Sequence, residues 1–123
     1  MESDVKEFSR TLRSVPKLKA EGKLNEEYML KLKDIFKTLY QNNKEHKEII
    51  QEKWNKLWNL YIVKNIKYSD SIAMIDDIEF GICDAIGVAS PYKEALDRFD
   101  AFFNTTLGDY IQNKVKESMN GKE

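Results

Sequence analysis

The sequence is poor in the residues that carry most enzyme chemistry and most covalent bracing. It contains one cysteine, Cys83, and one histidine, His46, among 123 residues. A single cysteine excludes an internal disulfide framework and any multi-cysteine zinc site. A single histidine excludes a two-histidine metal site, and no motif supports a Cys83–His46 nucleophile pair. Phosphate-cradling GxxxxGK[ST] and GxGxxG loops are missing, as is a G-x-S-x-G elbow. Two prolines and five glycines leave few points at which a helix must stop. No apolar run approaches the ~20 residues of a membrane-spanning helix. Glu2, Asp4, Lys6, Glu7, Arg10 and Arg13 leave no room for a signal-peptide core. The expectation is a cytoplasmic protein with no cofactor, no metal and no membrane partner.

Hydrophobic residues make up 41% of the chain and charged residues 33%, which describes a globular core under a heavily charged exterior. The length suits one domain over residues 1–123, with residues 1–3 and 118–123 frayed. Net charge is −1, yet residues 1–67 carry +5 and residues 68–123 carry −6. Opposite halves imply internal complementarity, head-to-tail association, or one half facing a charged partner.

Apolar residues recur at helical spacing throughout, and no segment alternates like a strand. Val5, Phe8, Leu12 and Val15 line a helix over residues 4–15, capped by Asp4 and stopped near Pro16. Residues 17–23 read as a basic connector. Asn25 caps a second helix carrying Tyr28, Leu32, Ile35, Phe36 and Leu39, which turns at Asn42–Asn43. A third helix spans about residues 44–65. At ~100° per residue its main stripe is Ile50, Trp54, Leu57, Trp58 and Tyr61, read as core. Ile49, Leu60 and Val63 form a weaker second apolar side. Ser69 or Asp70 caps a fourth helix with Ile72, Ile75, Ile78, Ile82 and Ile86 inward and Gly87 as its stop. Ser90-Pro91 starts a fifth, with a break over Thr105–Gly108 that would make six. The fold class is all-α: a compact antiparallel helical bundle of five helices, six if the last one breaks.

Three functional readings follow. The first is a non-catalytic interaction or regulatory protein that binds another protein or self-associates through a bundle face. Its candidate face combines Asp70, Asp77, Phe80, Gly81 and Asp84 on the fourth helix, with Ile49, Leu60 and Val63 as a second surface. An interior glycine costs about 1 kcal/mol against alanine, so Gly81 calls for a packing reason. The second is a nucleic-acid-binding protein whose phosphate contacts are Lys6, Arg10, Arg13, Lys17, Lys19 and Lys23. The third is a metal-dependent phosphohydrolase using Asp76, Asp77, Glu79 and Asp84 with Asp97 and Asp100. The glutamate-rich spacing of all-α nucleotide pyrophosphohydrolases is not reproduced. Glu79 falls inside the isoleucine arc and is expected to be a buried polar residue with a partner among tryptophan, tyrosine or lysine side chains.

Overall fold

A computed structural model of the chain describes residues 2–102, and these residues contain six α-helices and no strand. They are α1 (Glu2–Arg13), α2 (Val15–Ala20), α3 (Glu26–Asn42), α4 (Lys47–Ile62), α5 (Tyr68–Ile86) and α6 (Pro91–Phe102), with a 3₁₀ turn at Lys44–His46. The chain divides after Pro91 into two units. The first carries α1 to α5; the described part of the second is the amphipathic helix α6. The expected course through Phe103, Leu107, Tyr110, Ile111 and Val115, the break over Thr105–Gly108 and the frayed end from Ser118 lie outside the described residues.

Within the first unit α1, α3, α4 and α5 neighbour one another in a closed ring, and α2 packs on α5. The short links 43–46 and 63–67 return each helix onto its predecessor, as short connections between packed neighbours require. The core is contributed by every helix of the ring: Phe8 and Leu12, Leu32 and Leu39, Leu57 and Leu60, Ile75, Ile78 and Ile82 are fully buried. Each such side chain contributes ~1.5–3 kcal/mol relative to exposure. Phe8 meets Phe36 edge-on at 5.4 Å, and Phe36 meets Trp54 at 5.2 Å, carrying the core outward between α3 and α4.

Local signals place most element ends. The Asn25 side chain accepts from the Tyr28 N–H at 2.9 Å, satisfying an orphan donor of α3. Asn43 is buried, and its side-chain amide donates to the Leu39 carbonyl at 2.9 Å, closing α3. Gly87 takes a left-handed φ of 75°, and the Val88 N–H reaches the Cys83 carbonyl at 3.0 Å, a glycine stop for α5. α6 starts at Pro91 as its serine–proline signal predicts.

Four boundaries differ from expectation. α1 begins at Glu2, so Asp4 sits inside its first turn instead of capping it. The basic connector after Pro16 is largely helix: the chain breaks at Ser14 and restarts as α2 with Pro16 in its first turn, where a missing N–H costs nothing. This restart supplies the sixth helix. Gly22, at φ 70°, then turns the chain, with the Lys23 N–H on the Leu18 carbonyl at 2.8 Å. α4 ends at Ile62, because Lys19 donates to the Val63 and Tyr61 carbonyls at 2.5 and 3.2 Å and so satisfies its C-terminus. α5 begins at Tyr68 with Lys67 as its N-cap, ahead of the serine and aspartate expected to cap it.

The largest departure is the rotation of α4. Its buried residues are Ile50, Lys53, Leu57 and Leu60, so the inward face lies about 60° round from the tryptophan stripe. Trp54 and Tyr61 are half-buried, and Trp58 is 40% exposed. The physical reason is Lys53: its alkyl stem packs in the core as an apolar group while its ammonium reaches outward. Leu60, placed by pattern on the undecided side, is in the core, Ile49 is half-buried and Val63 is exposed.

Cys83 is 1% exposed, and its thiol is pushed up to about 12, first by burial and then by the charges of Glu79 and Asp84. The thiolate is therefore suppressed at neutral pH. Native protein at pH 8 is expected to resist iodoacetamide and to label only as urea unfolds it; labelling at the free-thiol rate without denaturant would contradict this burial.

Candidate functional site

Two groups of side chains stand out in the first unit: a charge network turned inward and an aromatic groove turned outward.

The network begins at Glu79, whose side chain has no exposed surface. An ionised carboxylate in such a position requires cations and hydrogen bonds. Arg13 supplies both: its Nε donates to Glu79 Oε1 at 2.5 Å, and its Nη1 pairs with Asp76. The Ser90 hydroxyl donates to the other Glu79 oxygen. The Arg13 guanidinium also stands 5.2 Å over the Phe80 ring. Arg13 follows the buried Ser9 by four positions on α1, so the two share a face of that helix. Glu79 was expected to be buried against a tryptophan, tyrosine or lysine side chain; it is buried, but none of these is its partner. Its partners are an arginine assigned by pattern to a solvent-facing stripe and a serine assigned to a helix cap.

On the opposite flank of α5, Lys53 and Lys56 both donate to Asp77 Oδ2, at 2.9 and 2.7 Å. These two ammonium groups hold the Asp77 carboxyl below its ordinary value, the Lys56 hydrogen bond acting most strongly. Gly81 has its packing reason here: a Cβ at that position would stand 2.5 Å from Lys53 Cε. The α5 face singled out from the sequence is thus fixed at both edges by neighbouring helices. Phe80 lies under Arg13, Gly81 lies against Lys53, and Asp70 and Asp84 are exposed between them.

The basic stripe divides in the same way. Lys6, Arg10, Lys17 and Lys23 are exposed, whereas Arg13 is held by Asp76 and Glu79 and Lys19 by the end of α4. His46 lies in the 3₁₀ turn with its Nε2 3.8 Å from Glu45. Among the described residues no group of three or more histidine, cysteine or acidic side chains is placed to hold a metal ion. No helix among them is long and apolar enough to cross a membrane.

The outward feature lies between α3 and α4. One cleft of about 340 Å³ runs past Phe36, Tyr40, Ile50 and Trp54, with Lys33 and Lys37 on its rim. A second of about 370 Å³ continues past Leu30, Trp54 and Trp58 and shares Lys33 and Trp54 with the first. Both tryptophans of the chain line this groove, and Trp58 and Tyr61 extend the ring series at 5.3 Å. Leu30 is 54% exposed and Tyr40 37%. Sequence reasoning missed the groove because it counted the tryptophans as core; the signal available was the breadth of the apolar arc on α4, too wide for one buried seam.

These features define an all-α bundle braced by inward-facing charge, with an aromatic groove on its α3–α4 side. No protein-family model, curated protein or solved structure matches the chain.

Acidification tests the role assigned to Asp77. A carboxyl depressed in the folded state adds stability above its unfolded value of 3.8, and that stability is lost as pH falls through the folded value. Asp77→Asn is therefore expected to be less stable than wild type at pH 7, by no more than the ~0–1 kcal/mol of an exposed pair. The gap should close below about pH 3.8 in urea titrations; a gap independent of pH would refute the assignment.

Proposed function

We propose that this protein is a non-catalytic interaction module whose partner docks along the α3–α4 groove. The observation that carries the proposal is the exposure of Trp58 and Leu30 beside the half-buried Trp54, in a cleft that Glu26, Lys33 and Asn55 also line. Tryptophan is enriched among the residues that dominate binding energy, because its ring buries a large area at small entropic cost. From Leu30 to Tyr40 the groove follows α3 for ~15 Å, about three turns of a helix laid into it. Lys33 and Lys37 on its rim favour acidic side chains flanking an apolar stripe. The partner class is an amphipathic helix with an acidic edge.

The other readings have less behind them. Phosphate tracking along α1 and α2 requires Arg13 and Lys19, which are engaged within the fold. A metal-dependent phosphohydrolase requires free carboxylates on α5, and Asp76, Asp77 and Glu79 are matched to Arg13, Lys53 and Lys56. Asp70 and Asp84 are exposed and are available to a partner as secondary contacts.

Affinity capture with quantitative protein readout tests the proposal. Trp58→Ser should leave the melting temperature nearly unchanged and weaken capture of the specific partner by about 30-fold, the loss expected for a central aromatic anchor. Lys6→Glu with Arg10→Glu should have no effect. Retention by Trp58→Ser and by Leu30→Ser, or nuclease-sensitive capture lost in the Lys6/Arg10 variant, would overturn it.

A further inference from the structure

The partner class argued for the α3–α4 groove exists within the chain itself. α6 is an amphipathic helix of 12 residues, ~18 Å long, against a groove length of ~15 Å. At ~100° per residue Tyr92, Leu96 and Phe99 share an arc of about 60°. Leu96 is 44% exposed and Phe99 62%. Large apolar side chains collected on the exposed face of one helix mark an association surface.

Charge gives the match a direction. With the apolar stripe turned inward, Asp97 and Asp100 follow one edge of α6 and Glu94 follows the other. The right hand of an α-helix brings the Asp97–Asp100 edge against α3 only when α6 runs antiparallel to it. In that direction the two acids, three positions apart, meet Lys37 and Lys33, four positions apart on the groove rim. Glu94 meets the start of α4, where Lys47 is exposed one turn ahead of the cleft residue Gln51. Leu96 and Phe99 lie between these edges, over Phe36, Ile50 and Trp54. Each acid of α6 thus meets a lysine. The reverse direction turns Arg98 toward Lys33 and Lys37, like charge on like.

Resting on the groove reading above, we propose that the occupant is α6 of a second copy of this chain. The start of α6 argues for a second copy. It follows Ser90, whose hydroxyl is bonded to Glu79 of α5, itself paired with Arg13 of α1. That is the α1–α5 side of the ring, and the groove lies on the α3–α4 side. A second copy's α6 enters the groove with the Ser90–Glu79 bond intact. Exchanged both ways about a two-fold axis, the contact closes a dimer.

Sedimentation of the full chain over a concentration series, read together with tryptophan emission, provides the test. Both tryptophans line the groove, so docking shifts their emission to the blue. The expected result is a monomer–dimer equilibrium in which the emission shift follows the dimer fraction. Leu96→Ser should weaken dimerisation by about 30-fold, as loss of a central anchor does. Asp97→Lys with Asp100→Lys should weaken it by about tenfold, as should Lys33→Glu with Lys37→Glu, and all four changes in one chain should restore it. A monomer at every concentration, or a dimer unaltered by Leu96→Ser and by the charge reversals, would overturn the proposal. So would an emission shift that Leu96→Ser abolishes but dilution does not, since α6 would then fill the groove of its own chain. The docking reading survives these results as long as Trp58→Ser still loses a captured foreign partner, and falls with them if that capture is retained.

Discussion

A carboxylate with no solvent access has to be matched inside the fold, and Glu79 is matched by Arg13. The pair fixes α1 against α5, across a separation of 66 residues, and one more hydrogen bond ties in Ser90 at the end of the first unit. Apolar packing alone would tolerate α1 sliding or rotating on the isoleucine face of α5, since one buried methyl resembles another. The Arg13 guanidinium, shared between Asp76 and Glu79 and lying over Phe80, admits few alternative registers. Removing one member of such a pair leaves an uncompensated buried charge, which costs far more than the intact pair contributes.

The divided charge of the chain takes its meaning from this arrangement. The basic first half and acidic second half meet along α5. Arg13 lies on one flank, Lys53 and Lys56 lie on the other, and the acids they match are Asp76, Asp77 and Glu79. Lys19 goes to the end of α4 instead. The side of the ring away from these contacts, between α3 and α4, is where aromatic surface comes out. The ion pairs and the aromatic groove thus lie on different faces of the first unit.

Much of the fold was legible in the sequence where the signal was local. Asn25, Asn43, Gly87 and Pro91 act on their immediate neighbours, and each marks the boundary expected of it. The isoleucine face of α5 was legible because Ile75, Ile78 and Ile82 repeat at helical spacing. What eluded pattern reading were long side chains whose two ends have different environments. Lys53 counts as polar in any periodicity, yet its stem belongs to the core, and this rotates α4 and brings Trp58 to the surface. Arg13 follows Lys6 and Arg10 in sequence and leaves them in space. The groove depends on how α3 and α4 meet, which neither stretch encodes by itself.

The central claim is that the Arg13–Glu79 pair couples α1 to α5, and a double-mutant cycle in urea at neutral pH tests it most directly. Arg13→Met should cost ~3–5 kcal/mol by leaving Glu79 buried without its cation. Replacing both residues with methionine should cost less than the two single changes together, with a coupling of ~1.5 kcal/mol or more. Single-variant costs that add to within ~0.5 kcal/mol would contradict the account, because independent residues, not a coupled pair, behave that way.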